Sequence, residues 1–261
     1  LELSFSEDAI KGYATAAITG ALTAGLVDEY FRDAGTGSST NSTSPTVDVS
    51  TGSGARVVTG GAPSFDLNTW SGAGKFAAYQ GSRAVVSSAV DSAINGGSFE
   101  DKLAASLTAA AVHTVSAAAF NQVGNWAEAN KIANGDFEKV AVKALVGGLI
   151  SQAATGDFAT GALAAGANEA LVEHLAGLVD HDPQLLSMAS QLVGAVAAGA
   201  SGGDASLGAS LALYGTQYNR QLHLTEKQRA RELAARSDGR WTAEEIEDAM
   251  RWADNLERGE T

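Results

Sequence analysis

The sequence predicts a mainly α protein: an Ala/Gly-rich helical bundle with a Gly/Ser/Thr-rich loop or short hairpin near residues 36–61 and a small C-terminal helical pair. Apolar residues recur at three- and four-residue spacing along most of the chain, and side chains able to cap a helix stand where the periodic segments begin. The β-prone pieces, Thr46-Val-Asp-Val-Ser and Ala55-Arg-Val-Val-Thr, are short and are separated by Thr51-Gly-Ser-Gly inside the loop-like stretch.

Taken in order, Ser6-Glu-Asp-Ala followed by Ile10, Tyr13, Ala17, Ile18 and Leu22 fits an amphipathic helix from Glu7 to Phe31, stopping at Gly35. Thr36 to Gly61 reads as a loop carrying at most one hairpin. Helices are then expected over 74–95, 99–121, 137–154, 158–178, 183–200, 204–222, 226–237 and 243–258. Asp182-Pro183 combines a capping carboxylate with a proline at the first helical position, where its missing N–H costs nothing. Thr225-Glu-Lys-Gln228 and Thr242-Ala-Glu-Glu245 match the capping box.

Two patterns overlie these elements. A capping or turn residue directly precedes Phe in Ser4-Phe5, Ser64-Phe65, Ser98-Phe99, Asp136-Phe137 and Asp157-Phe158, with Asp204-Ala205 a degenerate copy. Each Phe is expected to anchor a helix start; duplication of a helical-hairpin unit is the sharper alternative. Small residues at helical spacing also recur, as Ala144, Gly148 and Gln152, then Gly161, Ala165 and Glu169, and above all Ala195, Gly199 and Gly203. Such faces let helix backbones approach closely; a bundle kept loose for unfolding or membrane rearrangement is the alternative.

Composition narrows the function. The 261 residues suffice for a sizeable core, since roughly a hundred already do. The formal net charge of -13 argues against a nucleic-acid surface, which needs clustered Lys and Arg. Between Lys143 and Arg220 there is no lysine or arginine, after which Arg220, Lys227, Arg229, Arg231, Arg236 and Arg240 follow closely. Cysteine is absent, so there is neither a disulfide framework nor a thiol nucleophile. The start Leu1-Glu-Leu-Ser-Phe lacks the basic and apolar regions of a signal peptide, and without an initiator Met the chain is expected to be a piece of a longer one. Leu103 to Ala127 and Pro183 to Gly203 have bilayer-spanning length without charge, but Ala, Gly and Ser contribute little insertion energy. They read as buried helices of a soluble fold, with insertion at most conditional.

No constellation for catalysis emerges. His113, His174, His181 and His223 lack metal-ligand spacing, and neither a nucleophile elbow nor a phosphate loop is present. Glu173-His174 and Asp180-His181-Asp182 read as solvated polar faces. No catalytic, cofactor-binding or metal residues are assigned.

Three stretches carry a family resemblance: Val142-Lys-Ala-Leu-Val-Gly-Gly-Leu-Ile-Ser-Gln-Ala-Ala-Thr-Gly-Asp, then Gly161-Ala-Leu-Ala-Ala-Gly-Ala-Asn-Glu, then Asp182-Pro-Gln-Leu-Leu-Ser-Met-Ala-Ser-Gln-Leu-Val-Gly-Ala-Val-Ala-Ala-Gly-Ala-Ser-Gly-Gly. With the closing Gln217-Tyr-Asn-Arg-Gln-Leu-His, residues 137–223 resemble the pretoxin region of CdiA-type contact-dependent growth inhibition toxins of two-partner secretion systems. Many members end this region in Val-Glu-Asn-Asn; here Gln217, Tyr218, Asn219 and Arg220 stand there, followed by Gln221, Leu222 and His223, which resembles a variant junction. Leu1 to Glu128 resembles the haemagglutinin-like domain preceding it, chiefly in Leu103 to Val123 and the Phe-headed helices. The resemblance implies a haemagglutinin-like helical domain over 1–128, a pretoxin helical region over 129–223, and the start of a variable effector portion over 224–261.

The implied role is non-catalytic: a pretoxin or translocation module that helps deliver a C-terminal toxin into neighbouring bacteria. The implied setting is a secreted, bacterial-surface protein whose cargo reaches the target periplasm or cytoplasm. Implied partners are target-cell envelope components including the membrane, the toxin in cis, and an immunity protein for that toxin; no nucleic acid is bound by this region and no cofactor is used. The alternatives are a toxin nuclease using the tail around Arg220, His223 and Glu226, and an adhesin that binds a receptor through residues 36–61.

Overall fold

A computed structural model describes residues 7–34, 65, 67–180, 182–218, 224–237, 239–243, 245, 246 and 249. The fold is mainly α, and no strand occurs among the described residues. The helices are α1 (Glu7–Leu22), α2 (Glu29–Ala34), α3 (Trp70–Asn95), α4 (Phe99–Ala129), α5 (Phe137–Thr155), α6 (Phe158–Leu178), α7 (Pro183–Ala200), α8 (Ala205–Gln217) and α9 (Leu224–Arg236). The expected loop or hairpin at 36–61 and most of the last tail helix lie outside the described residues.

The first expected helix is interrupted. A π-helical turn, Thr23–Asp28, joins α1 to α2, and it turns Asp28 into the body, where Tyr79 of α3 donates a 2.9 Å hydrogen bond to its carboxylate. Helix α3 begins four residues earlier than expected because Thr69 caps it, accepting from the Gly72 amide at 3.0 Å. Helix α4 outruns its expected end at Asn121 and closes at Ala129. The segment before α3 is tied down by Asn68, whose Oδ1 accepts from Asn121 at 2.8 Å and Asn125 at 2.7 Å.

The Phe pattern divides. Asp157 caps α6 through the amides of Ala159 and Thr160, and Ser98 caps α4 through that of Asp101. Asp136, however, makes no capping bond to α5; it accepts instead from the Ala133 amide at 2.8 Å. Phe137 is 82% exposed and anchors nothing, whereas Phe158 lies against Gly148. Phe65 heads no helix. It is buried in an aromatic core with Phe31, Phe76 and Tyr79.

Beyond α4, the bundle is two helical hairpins. Helices α5 and α6 touch at Gly147 and Gly161, where a Cβ on Gly161 would stand 2.0 Å from the Gly147 carbonyl oxygen. Helices α7 and α8 touch at Gly194 and Gly208, where a Cβ on Gly194 would stand 2.3 Å from the Gly208 carbonyl oxygen. From Gly147 to Gly194 and from Gly161 to Gly208 is the same step of 47 residues. The same step carries Leu145-Val146 onto Leu192-Val193, Ala165 onto Ala212, and the α6 cap Asp157 onto the α8 cap Asp204. The duplicated helical hairpin is therefore present in contacts as well as in sequence.

The small-residue expectation needs one correction: a Cβ on Gly199 would meet only the Ala205 Cβ, at an ordinary 3.9 Å, so the decisive contacts on α7 and α8 are at Gly194 and Gly208. Another concerns the two uncharged segments. Helix α4 is long and apolar enough to cross a membrane, yet it is neither wholly buried nor wholly exposed: Ala117, Phe120 and Ala127 are sealed while Leu107, Val115 and Trp126 are exposed. On α7, Leu185, Met188, Leu192 and Val196 face outward.

Candidate functional site

Two buried polar assemblies sit where the hairpins meet α4. The first is ionic. Lys139 and Lys143, one turn apart on α5, both point at Glu169 of α6, and all three side chains are at most 1% exposed. The Lys143 ammonium lies 2.6 Å from Glu169 Oε2 and donates to the Gly215 carbonyl of α8, also at 2.6 Å. It stands over the Phe120 ring, 5.8 Å from its centroid. Lys139 Nζ lies 3.4 Å from Glu169 Oε1 and donates a hydrogen bond to Asn134 Oδ1 in the α4–α5 connection. Asn134 Nδ2 donates to Glu173 at 3.2 Å, and the Gly135 amide donates to Glu169 Oε1 at 3.3 Å. Gly135 adopts a φ of 82°, which lets the chain turn its amide onto that carboxylate.

Two cations share one buried carboxylate. Burial, then repulsion from Lys143, pushes the Lys139 ammonium down to about 8, against the pull of Glu169. Burial likewise lowers Lys143.

At the positions 47 residues on, neutral groups replace the ions. Ser190 takes the place of Lys143 and Thr216 that of Glu169, and their hydroxyls meet at 2.8 Å. Asn168 Nδ2 links the two layers by donating to Thr216 Oγ1 at 2.8 Å and to the Ala212 carbonyl at 3.1 Å. The duplicated hairpin thus uses one pair of positions twice, once for an ion pair and once for a hydroxyl pair.

The second assembly fixes the end of the helical body. His113 of α4 stacks on Tyr214, ring centroids 4.1 Å apart, and its Nε2 hydrogen-bonds the Tyr218 hydroxyl at 2.8 Å. Burial raises the Tyr218 phenol far above its ordinary range, so it stays protonated. Of the expected junction residues, Gln217 ends α8 and Tyr218 is sealed into the aromatic core; Asn219, Arg220, Gln221, Leu222 and His223 lie outside the described residues. The helix expected over 204–222 ends at Gln217. Thr225 lies within α9, whereas the Thr242–Glu245 capping box forms: the Glu245 amide donates to Thr242 at 3.2 Å and the Thr242 amide to Glu245 at 2.8 Å.

No group of three metal-ligating side chains occurs among the described residues. Sequence pattern alone does not mark Lys139, Lys143 and Glu169 as a cluster; Glu169 falls in a small-residue stripe. A signal existed, because an ionisable residue inside the Ala/Gly run of α6 needs a buried partner.

Residues 1–165 match the family described as possible hemagglutinin (DUF637). The chain belongs to that family. No curated protein and no solved structure matches it. Membership of a possible-hemagglutinin family points to a surface or secreted protein. The region shared with the DUF637 family includes Lys139 and Lys143 and stops inside α6, four residues short of Glu169.

Proposed function

We propose that this chain is the non-catalytic pretoxin or translocation module of a contact-dependent growth inhibition effector, carrying a C-terminal toxin into neighbouring bacteria. The observation that supports this reading is the haemagglutinin-family match, which runs from the first residue through α5 and ends inside α6. The resemblance of residues 137–223 to pretoxin segments adds the delivery role. The seal at Tyr218, just before lysine and arginine resume at Arg220, suits a boundary between delivery body and cargo. In this reading the toxin lies beyond residue 261, an immunity protein protects the producer, and the partners are components of the target envelope.

Deleting residues 137–218 from the complete effector, toxin intact, tests it in co-culture with target cells. Surface display is expected to persist while target inhibition is lost. Undiminished inhibition would overturn the delivery role.

An adhesin is the second reading, favoured by the family's description. It expects the purified chain to bind bacterial surfaces and to lose binding when residues 36–61 are removed. A nuclease using Arg220, His223 and Glu226 is separated by assaying the purified chain beside His223→Ala; cleavage lost in that variant would replace the non-catalytic reading.

A further inference from the structure

We propose that Asn134 is a modification site gated by the fold: its side-chain amide is kept while the α5–α6 hairpin is closed and is lost to water when that hairpin opens. The chemistry is set by the next residue. Gly135 has no side chain to hinder its backbone nitrogen from closing on the Asn134 carboxamide as a five-membered imide. Asn134 is half-buried, so water reaches the imide once it forms.

The closed fold opposes that ring closure in three ways. The Asp136 amide donates to the Ala133 carbonyl at 3.3 Å, closing a turn in which Gly135 has a φ of 82°. Asn134 is not among the residues of positive φ, so the turn is of type II. Its second residue then has a ψ of about +120°, which points the Gly135 nitrogen away from the side chain it must attack. That nitrogen also donates to Glu169 Oε1 at 3.3 Å, and a proton facing a buried anion is harder to remove. Lys139 holds Asn134 Oδ1, and Nδ2 donates to Glu173 at 3.2 Å, so the carboxamide is clamped from both helices. Glu169 and Glu173 lie on α6, and separating α6 from α5 releases the clamp and the turn together.

The reaction consumes one water and releases one ammonia. The Gly135 nitrogen gives up its proton and bonds to Asn134 Cγ; the bond from Cγ to Nδ2 breaks, and Nδ2 leaves as ammonia with that proton. Water then adds its hydroxyl to either imide carbonyl and its hydrogen to the ring nitrogen. The ring opens to aspartate, or to isoaspartate with the chain running through Cγ. Opening of the hairpin thus leaves a covalent mark. The formal charges of Lys139, Lys143, Glu169 and Glu173 sum to zero. A carboxylate at 134 adds an anion and faces Glu173 where the amide had donated to it, and the isoaspartyl form also lengthens the turn by one backbone atom. Either product recloses less firmly than the original chain.

Incubating the purified 261-residue chain at mildly alkaline pH, in buffer and in denaturing urea, tests this. Mass spectrometry of tryptic peptide 132–139 follows the exchange of amide for acid. The chain's other Asn-Gly pair, Asn95-Gly96, serves as an internal clock. In urea the two pairs should convert at similar rates. In buffer Asn134 should convert at least about tenfold more slowly than in urea, because only the open fraction reacts. Equal rates for Asn134 in buffer and urea overturn the gating, and so does an Asn134 that stays intact in urea while Asn95 converts. Asn134→Asp should lower the urea midpoint, and adding Glu173→Gln should bring it back; an unchanged midpoint overturns the penalty on reclosing. Should Asn134→Asp fail to fold, the wild-type rates still decide.

Discussion

Glu169 is the residue on which the interior of the hairpins balances. Replacing it by Leu strands the Lys143 ammonium among Phe120, the Gly215 carbonyl and apolar neighbours. The expected loss is about 3–5 kcal/mol in urea unfolding at neutral pH, the cost of a buried charge without its partner. The double replacement Lys143→Met with Glu169→Leu should recover part of that loss, because an apolar pair of similar volume is often as stable as a buried ion pair, while Lys139 still loses its carboxylate. Lys139 gives a pH signature. Its folded-state value of about 8 lies below the ordinary 10.5, so between those limits the unfolded chain binds more protons and stability rises with pH. The rise should total roughly 3 kcal/mol, complete above about 10.5 and absent below about 8. Denaturant melts at several pH values measure it. Little of this cluster was legible in the sequence: the one-turn spacing of Lys139 and Lys143 fits an exposed face equally well, and only the fold shows which side of α5 is sealed.

At the scale of the element, helix type and most boundaries were legible because capping chemistry is local. Asp157, Asp182 and Asp204 accept from the amides that their positions imply. The failures were tertiary. Asp136 sits where a cap should, but Lys139 and Glu169 draw Asn134 and Gly135 inward and the carboxylate turns to Ala133 instead. The π turn before α2 likewise answers to a distant partner, Tyr79. Glycine content pointed to close packing without identifying the contacts, since Gly148, Gly161 and Gly199 look alike in sequence and differ wholly in surroundings. Gly161→Ala drives a methyl into the Gly147 carbonyl and should destabilise by at least about 2 kcal/mol. Gly81→Ala in α3, with nothing within 4 Å, should instead stabilise by about 0.5–1 kcal/mol through helix propensity. Paired thermal melts of the two variants read the difference directly.

For the whole molecule, charge and repetition matter most. The net charge of -13 is spread over a small body, so self-repulsion opposes compaction. Melting temperature should therefore rise as salt is added from about 0.01 M to about 0.15 M, where the screening length falls from roughly 30 to 8 Å. A flat or falling profile would show that local ion pairs outweigh the global field. The mainly α class was plain from periodicity, whereas the order in which hairpins pack was not, because small apolar faces are nearly interchangeable partners. That interchangeability also governs how the body comes apart. Where Gly147 meets Gly161 and Gly194 meets Gly208, only the small side chains of Ala165, Ser151, Ala212 and Ala198 reach across the crossing, so tension applied from the C-terminal end would unzip α8 from α7 and then α6 from α5. The two releases would be nearly equal in length, each paying out about 160 Å of chain for a 47-residue unit, and the hydrogen bond from Tyr218 to His113 would be the first latch to give.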